Sequence, residues 1–483
     1  MLEVTEVEIK KRLAFDNPWW ESGEIDEERQ RWPRRAFFAG FMHLVQQTEV
    51  NRAVVLMGPR RVGKTVMLTQ AIQKLIEDGI KANRVFYVAV DTPTYTGVSL
   101  EQLLHWFMEV HNHERSDQLY VFFDEIQYHP DWERHLKSLV DSFPAMRFVA
   151  SGSAAAALKM KSVESGAGRF TDFLLPPLNF AEFLRFTGIE EELTNYDENT
   201  YDVGGLNEAF VDYVNFGAFP EAVLKPEVRT RMDRFVANDI VDKVLLRDLP
   251  SLYGIADTQE LKRFFTVLAY NTGEEVSLEG LAQASGVAKN TIRKYLDYLE
   301  AAFLIHRLHR IDRNARRFKR VTHFKVYLSN PCIRAALFGP VTSDSQAMGH
   351  LAETAYVAQI SSSVLSSYYF YARWGNGEVD LVSMDNDFRR PERVEEIKWS
   401  DRPADHPQDE LKSVISFCKK NELSEAVVFV KSRTADVTCE GVRLMIRPLS
   451  ARCYSDARLL FEDAIVKGRD PRTLLPLGSP VAG

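Results

Sequence analysis

The chain has 483 residues and a formal net charge of −8, from 60 basic and 68 acidic side chains, with 27% charged and 11% aromatic residues. That length suggests about three domains, and the composition is globular, which leaves no case for general disorder. An acidic whole argues against indiscriminate nucleic-acid binding, so any such role has to come from a local basic patch.

The amino terminus, MLEVTEVEIKKRLAF, is charged throughout and has no signal-peptide core. No apolar run approaches the length needed to cross a bilayer, so no membrane partner is expected. The four cysteines (Cys332, Cys418, Cys439, Cys453) form no C-x-x-C pair. They read as ordinary thiols of a reducing cytosol, and a cytoplasmic location is expected. Within residues 1–50, Asn17-Pro18-Trp19-Trp20 and an acidic stretch suggest a segment lying over a neighbouring core.

The first strand expected is the apolar run Val54, Val55, Leu56. It leads into Gly58, Pro59, Arg60, Arg61, Val62, Gly63, Lys64, Thr65 and Val66, followed by a helix-forming stretch. Strand, glycine-bounded loop and helix start are the parts of a P-loop. The two glycines let backbone N–H groups face one phosphate-sized point, where the helix N-terminus adds positive potential. Lys64 would reach the β- and γ-phosphates of ATP, and the Thr65 hydroxyl would hold Mg²⁺.

Further buried strands are expected at Arg84–Asp91, Leu119–Gln127 and Met146–Ser153. The second of these ends in Asp124-Glu125, a Walker B pattern in which Asp124 would bind Mg²⁺ and Glu125 would polarise the attacking water. Ser151 or Ser153, ending the third, would touch the γ-phosphate and the water. Arg169, beside Gly168 on a glycine-rich stretch, would serve a neighbouring subunit's γ-phosphate, or else be a same-chain sensor or a surface arginine.

GPRRVGKT, FFDEIQYHPDW, ASGS and GRF…LLPPLNFAEFL together resemble the prokaryotic AAA+ ATPase family in which a P-loop core is followed by a winged helix and a nuclease-like domain. The resemblance continues through GAFPEAV and LLRDLPSLYGIAD and covers nearly the whole chain after residue 50. It implies an α/β fold: an AAA+ core with a parallel sheet at 51–178, preceded by the packing segment 1–50. A helical lid (179–255), a winged helix (256–335) and an α/β restriction-endonuclease-like domain (345–483) would follow. It also implies ATP and Mg²⁺ as cofactors and a homo-oligomer, ring or dimer.

Within 261–308 three helical patterns, with a turn at Gly286, resemble a helix-turn-helix. Its last helix would offer Lys289 and Arg293 to DNA, or the element would serve as a packing module. The run His306–Lys325 follows, carrying Arg307, Arg310, Arg313, Arg316, Arg317, Lys319, Arg320 and Lys325 against the single acid Asp312. Of these, Arg316, Arg317, Lys319 and Arg320 are the expected phosphate contacts of a basic wing. In the carboxyl-terminal domain, Glu353 on a helix, Asp380 in NGEVDLVSM and Glu396-Ile397-Lys398 stand at nuclease spacing. Glu396 and Lys398 are two apart and share a strand face. Glu353, Asp380 and Glu396 would hold a divalent ion while Lys398 acts catalytically, similar to the PD-(D/E)xK nuclease superfamily, although Val379 stands where that pattern has proline. Two alternatives remain open: an ATP-gated scaffold with an inactive nuclease-like domain, and a DNA-junction motor that does not cut.

Overall fold

The computed structural model describes residues 5–153, 168–195, 200–316, 322–361, 369–385 and 390–462. The chain divides into two compact units, Met1–Pro176 and Pro177–Gly483.

In the first unit, helices α1 (Glu6–Asp16) and α2 (Phe38–Gln46) precede strand β1 (Ala53–Met57), whose five residues are all buried. Helix α3 (Lys64–Glu77), β2 (Val85–Ala89), α4 (Leu100–His111), β3 (Tyr120–Asp124), α5 (Trp132–Ser142), β4 (Arg147–Gly152) and β5 (Phe170–Leu174) follow. The sheet is wholly parallel, in the order β2-β3-β4-β1-β5. Strands buried on both faces read as continuous apolar runs, which is why the sequence announces them. Their order places the carboxyl ends of β3, β4 and β1 side by side, where ligands bind in open parallel sheets.

The edge strand β2 is closed by the amino-terminal segment. The Asn17 side-chain amide donates to Tyr87 O at 2.8 Å, and the Tyr87 N–H donates to Asn17 Oδ1 at 2.7 Å, mimicking a neighbouring strand. The Trp19 and Trp20 indole N–H groups both donate to Val85 O, at 3.1 and 2.8 Å. Trp20 also stacks on Phe107, ring centroids 5.5 Å apart. These contacts satisfy backbone groups that an open edge would expose.

In the second unit, α6 (Phe180–Thr187) and α7 (Val203–Phe216) lead to a run of π-helical turns across 235–248. Then come α8 (Thr258–Tyr270), β6 (Glu275–Ser277), α9 (Leu278–Ser285), α10 (Lys289–Ala301), β7 (Ile305–Ile311) and β8 (His323–Leu328). Ser277 caps α9 by accepting from the Gly280 N–H, and Gly286 ends it at φ +75°, a left-handed position that glycine takes without strain. The remaining elements are α11 (Met348–Ser361), β9 (Tyr369–Trp374), β10 (Gly377–Met384), β11 (Pro391–Ile397), α12 (Lys412–Lys420), β12 (Glu425–Val430), β13 (Ala435–Cys439), β14 (Val442–Pro448) and α13 (Leu449–Glu462).

Nine of these strands form one mixed sheet, in the order β13-β14-β12-β11-β10-β9-β7-β8-β6. The segments expected to form a winged helix and a separate nuclease-like domain therefore share a sheet. The join is β7 against β9, parallel, with Phe370 opposite His309 and Ala372 opposite Ile311. Among the described residues no helix is long and apolar enough to cross a membrane.

Candidate functional site

The loop after β1 is shaped by two glycines. A Cβ on Gly58 would stand 2.2 Å from Leu175 O, so no other residue fits the turn. Gly63, at φ +95°, opens α3. The Lys64 ammonium lies back along the loop, 3.1 Å from Gly58 O and 2.8 Å from Pro59 O. Arg35, from the amino-terminal segment, supports the loop from beneath by donating to Val62 O at 2.7 Å and Pro176 O at 2.9 Å. Arg60 donates to the Tyr128 hydroxyl at 3.2 Å.

Asp124 ends β3 beside this loop and is almost fully buried. The Thr65 hydroxyl donates to its Oδ2 at 2.7 Å, and the Tyr87 hydroxyl donates to the same oxygen at 2.9 Å. The Ser151 hydroxyl donates to Oδ1. Burial, then the Asp124 carboxylate, pushes the Tyr87 phenol well above its ordinary pKa, so it stays a donor. Glu125 takes the left-handed conformation (φ 54°, ψ 43°), which turns its side chain out of the strand. The Gln127 amide donates to Glu125 Oε2, while Gln127 Oε1 accepts from the Ser153 N–H at 3.2 Å.

Of the motif residues, Lys64 is thus bonded to Gly58 and Pro59, and Thr65 to Asp124, the neighbour of Glu125. Ser151, rather than Ser153, bonds Asp124; the Ser153 hydroxyl is buried with no partner among the described residues. Tyr87, Gln127 and Arg35 were not foreseen. Tyr87 had a usable signal, since it stands two residues before Ala89, the β2 residue in register with Asp124, and shares its strand face. Arg169 lies at the opposite end of the sheet: Ala53, opening β1, pairs with Phe170, whereas the P-loop follows Met57. It pairs there with Asp141 and is remote from its own chain's P-loop.

In the second unit, Glu353, Asp380, Glu396 and Lys398 converge, as their spacing suggests. Lys398 Nζ lies 2.7 Å from Glu396 Oε1 and 3.4 Å from Asp380 Oδ2. The Asp380 N–H donates to Glu396 Oε2 at 3.2 Å, and the Ile397 N–H donates to Asp380 Oδ2 at 3.0 Å. A residue the sequence assigned to the basic wing also enters this cluster. The Lys325 ammonium lies 2.9 Å from Glu353 Oε1, 3.1 Å from Asp380 Oδ1 and 2.9 Å from Glu378 Oε1. Its side chain is only 3% exposed. Tyr327 donates to Glu353 Oε1 at 2.6 Å. Lys325 and Tyr327 are two apart on β8, the same alternation that pairs Glu396 with Lys398.

Burial raises the Asp380 carboxyl, but Lys398 and Lys325 outweigh it and hold its pKa below the ordinary range. Burial, and then Asp380, pushes Glu396 up to about 7. Burial would lower Lys325, yet Glu353, Tyr327 and Asp380 hold it well above its usual value, so it is charged. The carboxylates expected to hold a divalent ion therefore already surround an ammonium, and they do not fit a bare metal ion in this arrangement. Among the described residues no group of three or more His, Cys, Asp or Glu side chains is set to hold a metal.

The expected basic wing is also partly consumed within the fold. Arg307 pairs with Glu300 and Asp297, Arg310 donates to Arg373 O, and Arg313 donates to Ser416 Oγ. Lys289 pairs with Glu279 at 2.7 Å, and Arg293 lies 3.4 Å from Asn290 Oδ1; both face outward on α10. Arg316 is exposed, and its N–H donates to Asp312. Arg317, Lys319 and Arg320 lie outside the described residues.

A parallel sheet in this order, a glycine-bounded loop after β1 and a buried aspartate bonded to that loop's threonine are the arrangement of a P-loop fold. Residues 50–184 match the family described as an AAA domain, and residues 207–344 match a domain of unknown function, DUF8612. An uncharacterised protein of Haemophilus influenzae is 27% identical over 56% of this chain and 65% of its own length, just under two thirds. An uncharacterised protein of Methanocaldococcus jannaschii is 25% identical over 69% of this chain and 72% of its own. Among solved structures, the Orc1 protein of Aeropyrum pernix in complex with DNA matches at a TM-score of 0.30 and 11% identity, over 63% of this chain and 96% of that one. The replication initiator DnaA bound to AMPPCP and single-stranded DNA matches at 0.25 and 17%, over 58% and 91%.

Proposed function

We propose that this chain is an AAA+ ATPase that binds and hydrolyses ATP as a homo-oligomer in the cytoplasm and acts on DNA. The observation that carries the reading is the 2.7 Å bond between Thr65 and Asp124 beside a lysine-bearing P-loop. Those two side chains are the ones that would hold Mg²⁺, which would supply positive charge against the phosphates of ATP. Lys64 exchanges its loop carbonyls for phosphate oxygens. Tyr87 and Ser151 hold the Asp124 carboxylate in place, and Thr65 with Asp124 would hold the ion. Glu125 orients the attacking water, and its bond from Gln127 sets where the carboxylate points. Arg169, remote from its own P-loop, acts on the γ-phosphate of a neighbouring subunit.

Lys289, Arg293 and Arg316 are outward cations beside the helix–turn–helix pattern, and with Arg317, Lys319 and Arg320 they make up the proposed DNA-contacting set. The test is ATP turnover of wild type, Lys64→Ala and Glu125→Gln, each with and without duplex, forked and single-stranded DNA. Stimulation by DNA that persists when Arg316, Arg317, Lys319 and Arg320 are neutralised would remove the basic wing from the contact set, and turnover indifferent to every DNA would remove the DNA reading while leaving the ATPase in place.

A second reading makes the carboxyl-terminal half a metal-dependent nuclease through Glu353, Asp380, Glu396 and Lys398. Their convergence favours it, and Lys325 opposes it. Scission of DNA with Mg²⁺ or Mn²⁺ that is lost in Asp380→Ala is the result it requires.

A further inference from the structure

Five carboxylate oxygens of the nuclease-like cluster already face a donor. Glu353 Oε1 accepts from Lys325 and Tyr327, and Asp380 Oδ1 accepts from Lys325. Asp380 Oδ2 accepts from the Ile397 N–H and faces Lys398. Glu396 is bonded through Oε1 to Lys398 and through Oε2 to the Asp380 N–H. A hard divalent ion needs several of these oxygens at about 2.0–2.6 Å, on the same lone pairs. An ammonium 2.9 to 3.1 Å from Glu353 and Asp380 takes those lone pairs and adds a positive charge that would repel the ion.

Lys325 is also held where it is. It is the third residue of β8, in register with Leu308 on β7 and Glu275 on β6, so its backbone belongs to the ladder. Its neighbours Phe324, Val326 and Leu328 are buried. Tyr371 stands beside it, with the ammonium 5.8 Å from the ring centroid. If Lys325 moved away, Asp380 would keep Lys398, Glu378 would keep Arg373 and Glu353 would keep the Tyr327 hydroxyl, but all three carboxylates would lose a countercharge, which a dry interior opposes.

We propose that Lys325 is the resident cation of this cluster: an internal ammonium standing where the nuclease-like constellation would otherwise hold a divalent ion, so that the site neither binds metal nor cuts. The carboxyl-terminal half then keeps the geometry of a metal site as a charge-neutralising brace between α11, β8, β10 and β11. The proposal is independent of the ATPase reading, since the P-loop lies in the other unit.

The test is Mn²⁺ binding to the full-length chain without nucleotide, carrying Asp124→Asn to silence the P-loop metal position, followed by electron paramagnetic resonance and calorimetry. The Lys325-intact chain is expected to bind no Mn²⁺ that depends on Asp380. Lys325→Ala in the same background is expected to gain one Mn²⁺ site at least tenfold tighter than any on the parent, lost again on adding Asp380→Asn. Lys325→Arg keeps the charge and is expected to gain none. Mn²⁺ bound by the parent and abolished by Asp380→Asn overturns the proposal, as does a folded Lys325→Ala chain that gains no site. Where Lys325→Ala does not fold, the parent and its Asp380→Asn variant decide the matter alone: equal Mn²⁺ binding supports the internal cation, and a difference removes it.

Discussion

Asp124 accepts three hydroxyl hydrogen bonds, from Thr65, Tyr87 and Ser151. Only Thr65 belongs to the P-loop; the other two hold the carboxylate independently of that loop. Tyr87→Phe removes one charge-assisted bond and leaves the ring in place. We expect its turnover to fall about tenfold, with a raised Mg²⁺ requirement and ATP affinity nearly unchanged, on the scale of one such bond. A Mg²⁺ titration of ATPase activity checks this, and an unaltered Mg²⁺ dependence would show that Tyr87 is only packing. Glu125→Gln is expected to bind ATP normally and turn over at least about a hundredfold more slowly, because the geometry survives and water activation does not. Lys64→Ala should instead lose nucleotide binding, which a fluorescent ATP analogue reads directly.

At the scale of elements, Asn17 replaces the missing neighbour of β2 with a pair of buried hydrogen bonds to Tyr87. Asn17→Ala should destabilise the first unit by about 2 kcal/mol, from two buried backbone groups left unsatisfied. Chemical denaturation measures that loss, and a cost within a few tenths of zero would mean water replaces the side chain. On β7, the His306 ring holds a buried Nε2 with no partner among the described residues. Burial lowers its pKa from 6.5 to about 4. The native state therefore keeps His306 neutral while the unfolded chain takes a proton below pH 6.5. Its contribution to stability is complete above pH 6.5 and is lost as the pH falls towards 4. His306→Asn should flatten the stability profile across that window relative to wild type. A slope identical to wild type would place the acid sensitivity in other groups.

At the scale of the whole molecule, Arg169 sits at the end of the sheet away from its own P-loop, so its proposed catalytic role requires a second copy. Mixing Arg169→Ala with Glu125→Gln subunits should restore turnover at interfaces where an intact Arg169 meets an intact Glu125; no recovery would exclude the trans role. An arginine supplied in this way is worth on the order of a thousandfold or more in other P-loop enzymes. The P-loop, the Walker B pair and the buried strands were legible in the sequence because each is local: an apolar run, then a turn chemistry, then a helix start. The spacing of Glu353, Asp380 and the Glu396–Lys398 pair was legible for the same reason, since strand alternation fixes which side chains share a face. Strand order was not, because pairing between β7 and β9 joins segments far apart in the chain, and periodicity carries no address. Nor was the fate of the basic run after α10, where a lysine in HFKVYL reads as surface charge until the fold supplies its partners. By itself the sequence determined which chemistry each segment can carry. Only the tertiary structure decided that Lys325 turns inward to three carboxylates, because burial and long-range charge pairing are properties of what packs together.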